Sequence, residues 1–241
     1  MILMYHHICP VEKVPLAADA CSLEGWDYNL VPEDFAYQLA FLRRKNFHFV
    51  TLDEYVRRAV DEDRGPERRV AVTFDDGWRD NHTYALPVLA ELGIPATFFV
   101  VSGPMAGVAA ERRMTPAMLR ELVAAGMEIG AHTRTHPNLA TLSDARLDEE
   151  IGGCKADLEN LVGQPIRHLA YPGGRFSDAV VRCVERHGFH AACSVLAAGS
   201  NDRSSRYRLS RDVFSRRMDS WRDRLLLSAG GRWLWRTAKR R

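Results

Sequence analysis

The chain has 241 residues, 46% of them hydrophobic, and a formal net charge of +2, enough apolar content for one sizeable core in a single α/β domain. No run approaches the ~20 apolar residues that span a bilayer, which excludes a membrane-spanning helix. Five cysteines (Cys9, Cys21, Cys154, Cys183, Cys193) without a Cys-x-x-Cys pair exclude a disulfide framework and suit thiols in a reducing compartment.

Ile2 to Ile8 reads as the first strand, ending in Tyr5-His6-His7. It starts with no basic leader, so the sequence leads us to expect no signal peptide and a cytoplasmic address. Residues 9 to 31 form a long loop in which Trp26 and Tyr28 suit either stacking on sugar rings or plugging a barrel edge. Pro32 to Lys45 carries Phe35, Leu39 and Leu42 at the helical period, with acidic residues in its first turn and basic ones in its last. A strand from Phe47 to Leu52, a helix from Asp53 to Val60 and a charged connection follow.

Val70-Ala71-Val72-Thr73-Phe74 is a buried strand that stops at Asp75-Asp76-Gly77. Strand C-termini are where α/β folds place their chemistry. Adjacent side chains on an extended chain point opposite ways, so one aspartate can bind a cation while the other stays free as a base. Asn81-His82-Thr83 matches a glycosylation sequon and is read more simply as the start of the next helix. That helix runs from Tyr84 to Leu92 and closes at Gly93, and Pro95 to Ser102 is the next strand.

Thr115-Pro116 opens a helix to Ala125, and Met127 to Ala131 is a strand that runs into His132-Thr133-Arg134-Thr135-His136-Pro137. Histidines four apart face one side if the segment makes a helical turn. Two imidazoles and one carboxylate leave a divalent metal an open position for water. A long N-capped helix from Ser143 to Val162, a strand from Ile166 to Tyr171, a helix from Ser177 to His187 and a strand from Phe189 to Val195 complete the alternation. Repeated strand and helix units with short links imply a parallel sheet and favour a closed or partly closed barrel.

Thr73-Phe74-Asp75-Asp76-Gly77 and His132-Thr133-x-x-His136 together resemble the first two motifs of the polysaccharide deacetylases, the NodB-homology or family 4 carbohydrate esterases. The resemblance runs to about residue 213. It implies a distorted (β/α)7 barrel, with Asp75 as general base, Asp76, His132 and His136 as ligands of a divalent metal (Zn2+, with Co2+ or Ni2+ as options), and Thr133 bracing the ligand loop.

Leu169-Ala170-Tyr171-Pro172-Gly173-Gly174 is similar to the third motif but carries Ala170 where the family has the arginine that orients the base. That role is either absent or supplied by another residue such as Arg175. The Gly173 N–H can approach a developing oxyanion, while a plain turn is the alternative. The fifth motif, usually Leu-x-His, is Leu209-Ser210-Arg211, and arginine cannot donate a proton near neutrality. The N-terminal Tyr5-His6 resembles the permuted branch that includes the poly-N-acetylglucosamine deacetylases, which implies His6 as the acid and leaves His7 structural. Tyr171, Pro172, Trp26 and Arg211 are the candidate substrate contacts.

The expected substrate is an N-acetylated sugar, oligosaccharide or lipid-linked glycan, with O-deacetylation or a non-catalytic glycan-binding barrel as alternatives. Residues 1 to 213 form the deacetylase-like domain. From Arg203 onward there are thirteen basic and three acidic residues, mixed with Trp221, Trp233 and Trp235. The tail from 214 to 241 suits either an anionic membrane face or a terminal helix packed on the barrel. No nucleic-acid motif accompanies the charge.

Overall fold

Every long strand carries two apolar faces, because it lies between a packed interior and a layer of helices. On β5 (Arg69–Phe74) the side chains of Val70, Val72 and Phe74 join the outer core, and Ala71 belongs to the inner one. On β6 (Ala96–Val100) Phe98 points outward, stacked on Phe74 with ring centroids 4.7 Å apart, and Phe99 points inward. The period of two therefore carries the inward face of β5 through Thr73 to Asp75.

The computed structural model describes residues 1–10, 29–62, 68–195 and 201–213. Its sheet is parallel throughout, in the order β10 (Asp212–Val213), β1 (Ile2–Tyr5), β5, β6, β7 (Glu128–Ala131), β8 (His168–Ala170), β9 (Ala191–Cys193). A short β4 (His48–Val50) shares an edge of β5 with β6. The last described segment bridges the two ends of this curled sheet. Leu209 pairs with Cys193 of β9, and Leu3 and Met4 of β1 pair with Asp212 and Val213. Counted around the ring, β1, β5, β6, β7, β8, β9 and this closing segment make seven staves, in agreement with a distorted seven-stranded barrel.

Helices cover the outside. In α1 (Pro32–Arg44) Phe35, Leu39 and Leu42 are all fully buried, as their spacing predicts. Each such side chain contributes about 1.5–3 kcal/mol on burial. Thr115 caps α4 (Pro116–Ala124) by accepting from the Met118 N–H. The single helix expected from Ser143 is instead α5 (Asp144–Leu147), a π-helical turn (Asp148–Gly152) and α6 (Gly153–Val162), and Ser143 makes no capping bond.

Two further departures bear on the site. The first strand breaks at His6, so that His7–Ile8 becomes a separate β2, paired with β3 (Asn29–Leu30) inside the expected loop. Pieces of two residues carry no legible periodicity. Trp26, the connection 63–67 and the tail from 214 onward lie outside the described residues. No helix among the described residues is long and apolar enough to cross a membrane.

Candidate active site

Strand β5 delivers Asp75 inward and fully buried, where Arg211 meets it. The guanidinium is forked onto the carboxylate, Nη1 and Nη2 each donating over 2.6 Å to Oδ1 and Oδ2. Nη1 also lies 3.3 Å from Thr73 Oγ1, Nε donates to the Ser194 carbonyl at 3.2 Å, and the Phe99 ring lies below at 5.4 Å. Burial pushes the Asp75 carboxyl up, but Arg211 together with His132 and His6 outweighs it and holds the group below the usual carboxylate range.

Arg211 is 0% exposed and its donors are committed. The guanidinium, expected to touch substrate, is sealed behind Asp75, where it orients and charge-balances that carboxylate. Arg175, the other candidate for this task, is exposed on the turn after Gly174. The sequence offered one weak signal: a basic residue at the end of the segment that aligned poorly with Leu-x-His.

Asp76 leaves the strand with φ +74°, and Gly77 follows at φ +77°, where a Cβ would lie 3.1 Å from Val100 Cγ1. This turn aims Asp76 at the loop after β7. Its Oδ2 accepts from Trp78 Nε1 at 3.0 Å. Its Oδ1 lies 3.3 Å from His132 Nε2 and 3.4 Å from His136 Nε2, and is a buried oxygen without a hydrogen-bond partner among the described residues. Donors ~2.0–2.1 Å from a tetrahedral ion stand about 3.3 Å apart, so these three atoms have the spacing and chemistry of a divalent-metal ligand set.

His132 donates from Nδ1 to the Ala170 carbonyl at 2.8 Å, which fixes its ring and leaves Nε2 facing Asp76. The electrostatics separate the two imidazoles. Burial lowers the His132 pKa, but Asp75 and Asp76 reverse this and raise it, so the position attracts positive charge. Burial and then His132 push His136 down to about 4, which keeps that ring neutral and able to ligate. Asp76 itself is pushed up by burial and then held well below the carboxylate range by His132, His6 and His136.

The histidine loop is not a helical turn. Thr133 and His136 adopt φ +66° and +60°, and the rings meet because the chain folds back, with Thr133 Oγ1 accepting from the His136 N–H at 3.0 Å. The Thr133 hydroxyl thus ties the two ends of the loop together.

His6 sits at the break between β1 and β2, buried, within the fields of Asp76, Asp75, Arg211 and His132. Burial lowers its pKa and the two carboxylates oppose this. Its carbonyl accepts from Asn81 Nδ2 at 2.6 Å. Asn81 is fully buried, so the sequon is a structural asparagine. His7 turns away, bonded to Asp80 at 2.6 Å through Nδ1 and packed on Trp78 at 4.4 Å.

Gly173 lies exposed in a turn at φ +59°, three residues beyond the carbonyl that holds His132. Tyr171 and Pro172, expected as substrate contacts, are both buried. Tyr171 donates its hydroxyl to the Tyr207 carbonyl at 2.9 Å and stacks on Phe176 at 4.9 Å. Trp26 lies outside the described residues. A second possible donor group, Asp148, Cys183 and His187 on the helical layer, is already satisfied internally, since Asp148 Oδ1 pairs with both Arg186 (2.6 Å) and His187 (2.7 Å).

Residues 62–192 match the family model described as polysaccharide deacetylase. The chain belongs to the polysaccharide deacetylase family. It is 23% identical, over 92% of its own length and 82% of the relative's, to the poly-β-1,6-N-acetyl-D-glucosamine N-deacetylase of Staphylococcus epidermidis. Among solved structures it resembles IcaB from Ammonifex degensii with a TM-score of 0.76 at 26% identity, over 92% of this chain and 93% of that one. It resembles the Streptococcus pyogenes deacetylase PplD equally well, with TM-score 0.76, 26% identity and coverage of 89% and 91%. Several other curated relatives, chitooligosaccharide deacetylases among them, are spanned along only 54% of their length.

Proposed function

We propose that this polysaccharide deacetylase relative is a metal-dependent hydrolase that removes the acetyl group from the nitrogen of an N-acetylated amino sugar in a glycan or glycan precursor. The observation that carries the reading is the juxtaposition at the end of β5: Asp75 forked by Arg211, beside the donor set of Asp76, His132 and His136 with its unpartnered oxygen.

A divalent ion held by Asp76, His132 and His136 would polarise the acyl oxygen and bring the pKa of water toward ~7, and Zn2+, Co2+ and Ni2+ all accept such a nitrogen and oxygen set. Asp75 takes the proton from the attacking water, and Arg211 keeps that carboxylate ionised and aimed. The Gly173 N–H donates to the carbonyl oxygen as negative charge builds on it, a contribution of about 3 kcal/mol for a preorganised donor. The C–N bond then breaks as His6 gives its proton to the sugar nitrogen, releasing acetate and a free amine. Burial lowers the His6 pKa against the opposing pull of Asp76 and Asp75, so the imidazolium, once formed, gives up its proton readily.

O-deacetylation is the second reading, since the same residues would serve an ester. A non-catalytic barrel was suggested by Ala170 and by the missing Leu-x-His, and Arg211 on Asp75 weakens its first ground. Acetate release from polymeric, lipid-linked and nucleotide-linked N-acetyl sugars, beside an O-acetylated glycan, is the test. Turnover confined to N-acetyl substrates supports the proposal. Turnover confined to the ester supports the second reading, and none on any substrate supports the binder.

A further inference from the structure

Three of the four described non-glycine residues with positive φ belong to the ligand set or its loop: Asp76, Thr133 and His136, the fourth being Asn46. A left-handed backbone costs about 1–2 kcal/mol per residue, and a β-branched threonine is among the least tolerant of it. The His132–His136 loop would relax unless its surroundings held it.

Its tethers differ in strength. Arg134 forks onto Asp157 of α6 at 2.7 and 2.8 Å, lying so close to the helix that a Cβ on Gly153 would fall 2.5 Å from Arg134 Cζ. Both side chains are about two-fifths exposed, and such pairs contribute about 0–1 kcal/mol. The other tether is buried. Glu150, 1% exposed, accepts from the Thr135 N–H at 2.9 Å through Oε2 and from the Thr135 hydroxyl at 2.7 Å through Oε1. Arg146 closes the outer side at 3.3 Å. Glu150 stands in the π-helical turn Asp148–Gly152, with its neighbour Glu149 exposed. Widened turns of this kind recur at functional sites.

We infer that Glu150 is a positioning residue for the metal-ligand loop: by gripping both donors of Thr135, it fixes the strained turn that sets His136 Nε2 against Asp76. This rests on the assignment of Asp76, His132 and His136 as ligands. A group in contact with the ligand loop is worth ~10- to 100-fold in metal affinity when removed. Gln at 150 keeps an acceptor for the Thr135 N–H and offers an amide N–H to its hydroxyl, so it restores part of the grip. Val at 135 keeps the shape and removes only the hydroxyl arm.

The test is Zn2+ titration against a chromophoric chelator, with thermal unfolding of the metal-free proteins alongside. Glu150→Ala is expected to bind Zn2+ about 10- to 100-fold more weakly than wild type, and Glu150→Gln and Thr135→Val to fall between. Folded variants with Zn2+ affinity within about twofold of wild type, whatever their melting temperatures, overturn the inference. Should Glu150→Ala not fold, Thr135→Val and Glu150→Gln decide on the same scale. His132→Ala is the control: if it binds Zn2+ as wild type does, the ligand assignment fails first and the inference with it.

Discussion

Arg211 and Asp75 are 136 positions apart in the chain and form a forked pair of two 2.6 Å hydrogen bonds with neither group reaching solvent. The contact depends on ring closure, because Arg211 lies between Leu209, which pairs with β9, and Asp212, which pairs with β1. Closing the barrel and orienting the base are thus done by one short segment.

Arg211→Met would leave a buried, uncompensated carboxylate and should destabilise the fold by about 3–5 kcal/mol. The pH dependence should also weaken. In the wild type the folded Asp75 pKa lies below the unfolded ~3.9, so its stabilisation is present above ~3.9 and fades as pH falls through the folded value. In the variant only His132 and His6 still oppose burial, so the folded pKa rises relative to wild type and the loss of stability on acidification should shrink. Thermal unfolding between about pH 2 and pH 8 reads both slopes. Parallel curves would mean that Arg211 does not control Asp75.

His132→Ala and His136→Ala each remove one of three donors. Both should lose stoichiometric metal and turnover while the fold persists on its own core. Elemental analysis of protein prepared in Zn2+ settles the matter, and full retention in both variants would sink the ligand set.

Amide cleavage requires the leaving nitrogen to be protonated, and general acid assistance typically contributes ~100- to 10,000-fold. His6→Ala should therefore keep its metal, lose most turnover on an N-acetyl substrate, and lose far less on an aryl acetate whose phenolate leaves unaided. His7→Ala should be mild on both, because His7 faces Asp80 and Trp78. Equal losses on amide and ester would assign His6 to positioning instead.

Asn81 carries the same idea one contact outward. Its side chain donates to the His6 carbonyl at the strand break, so Asn81→Ala should reproduce part of the leaving-group dependence of His6→Ala. A uniform loss on amide and activated ester, measured as kcat at saturating metal, would leave Asn81 with a purely structural role.

The parts legible in the sequence are those that act locally. An apolar run ending in Asp75-Asp76-Gly77 and a His132-x-x-x-His136 spacing announce themselves within a few residues, and the helical period of Phe35, Leu39 and Leu42 needs no partner to be read. The partner of Asp75 does not, since it arrives from the other end of the chain while the familiar arginine position holds Ala170. Tyr171 and Pro172 follow β8 into the interior, Tyr171 against Phe176 and the Tyr207 carbonyl, a burial that no local pattern announces. The positive φ values at Thr133 and His136 were hidden too, since ordinary L-residues carry no mark of a left-handed backbone.

In the proposed N-deacetylation, Asp75 is the base that activates water. The most direct test of that role is acetate release from a chitooligosaccharide by Zn2+-loaded wild type and Asp75→Asn, with bound metal quantified in both. Equal metal is expected in the two proteins, with a loss of roughly 100- to 10,000-fold in release by the variant. Wild-type rates in Asp75→Asn, with its metal in place, would contradict it.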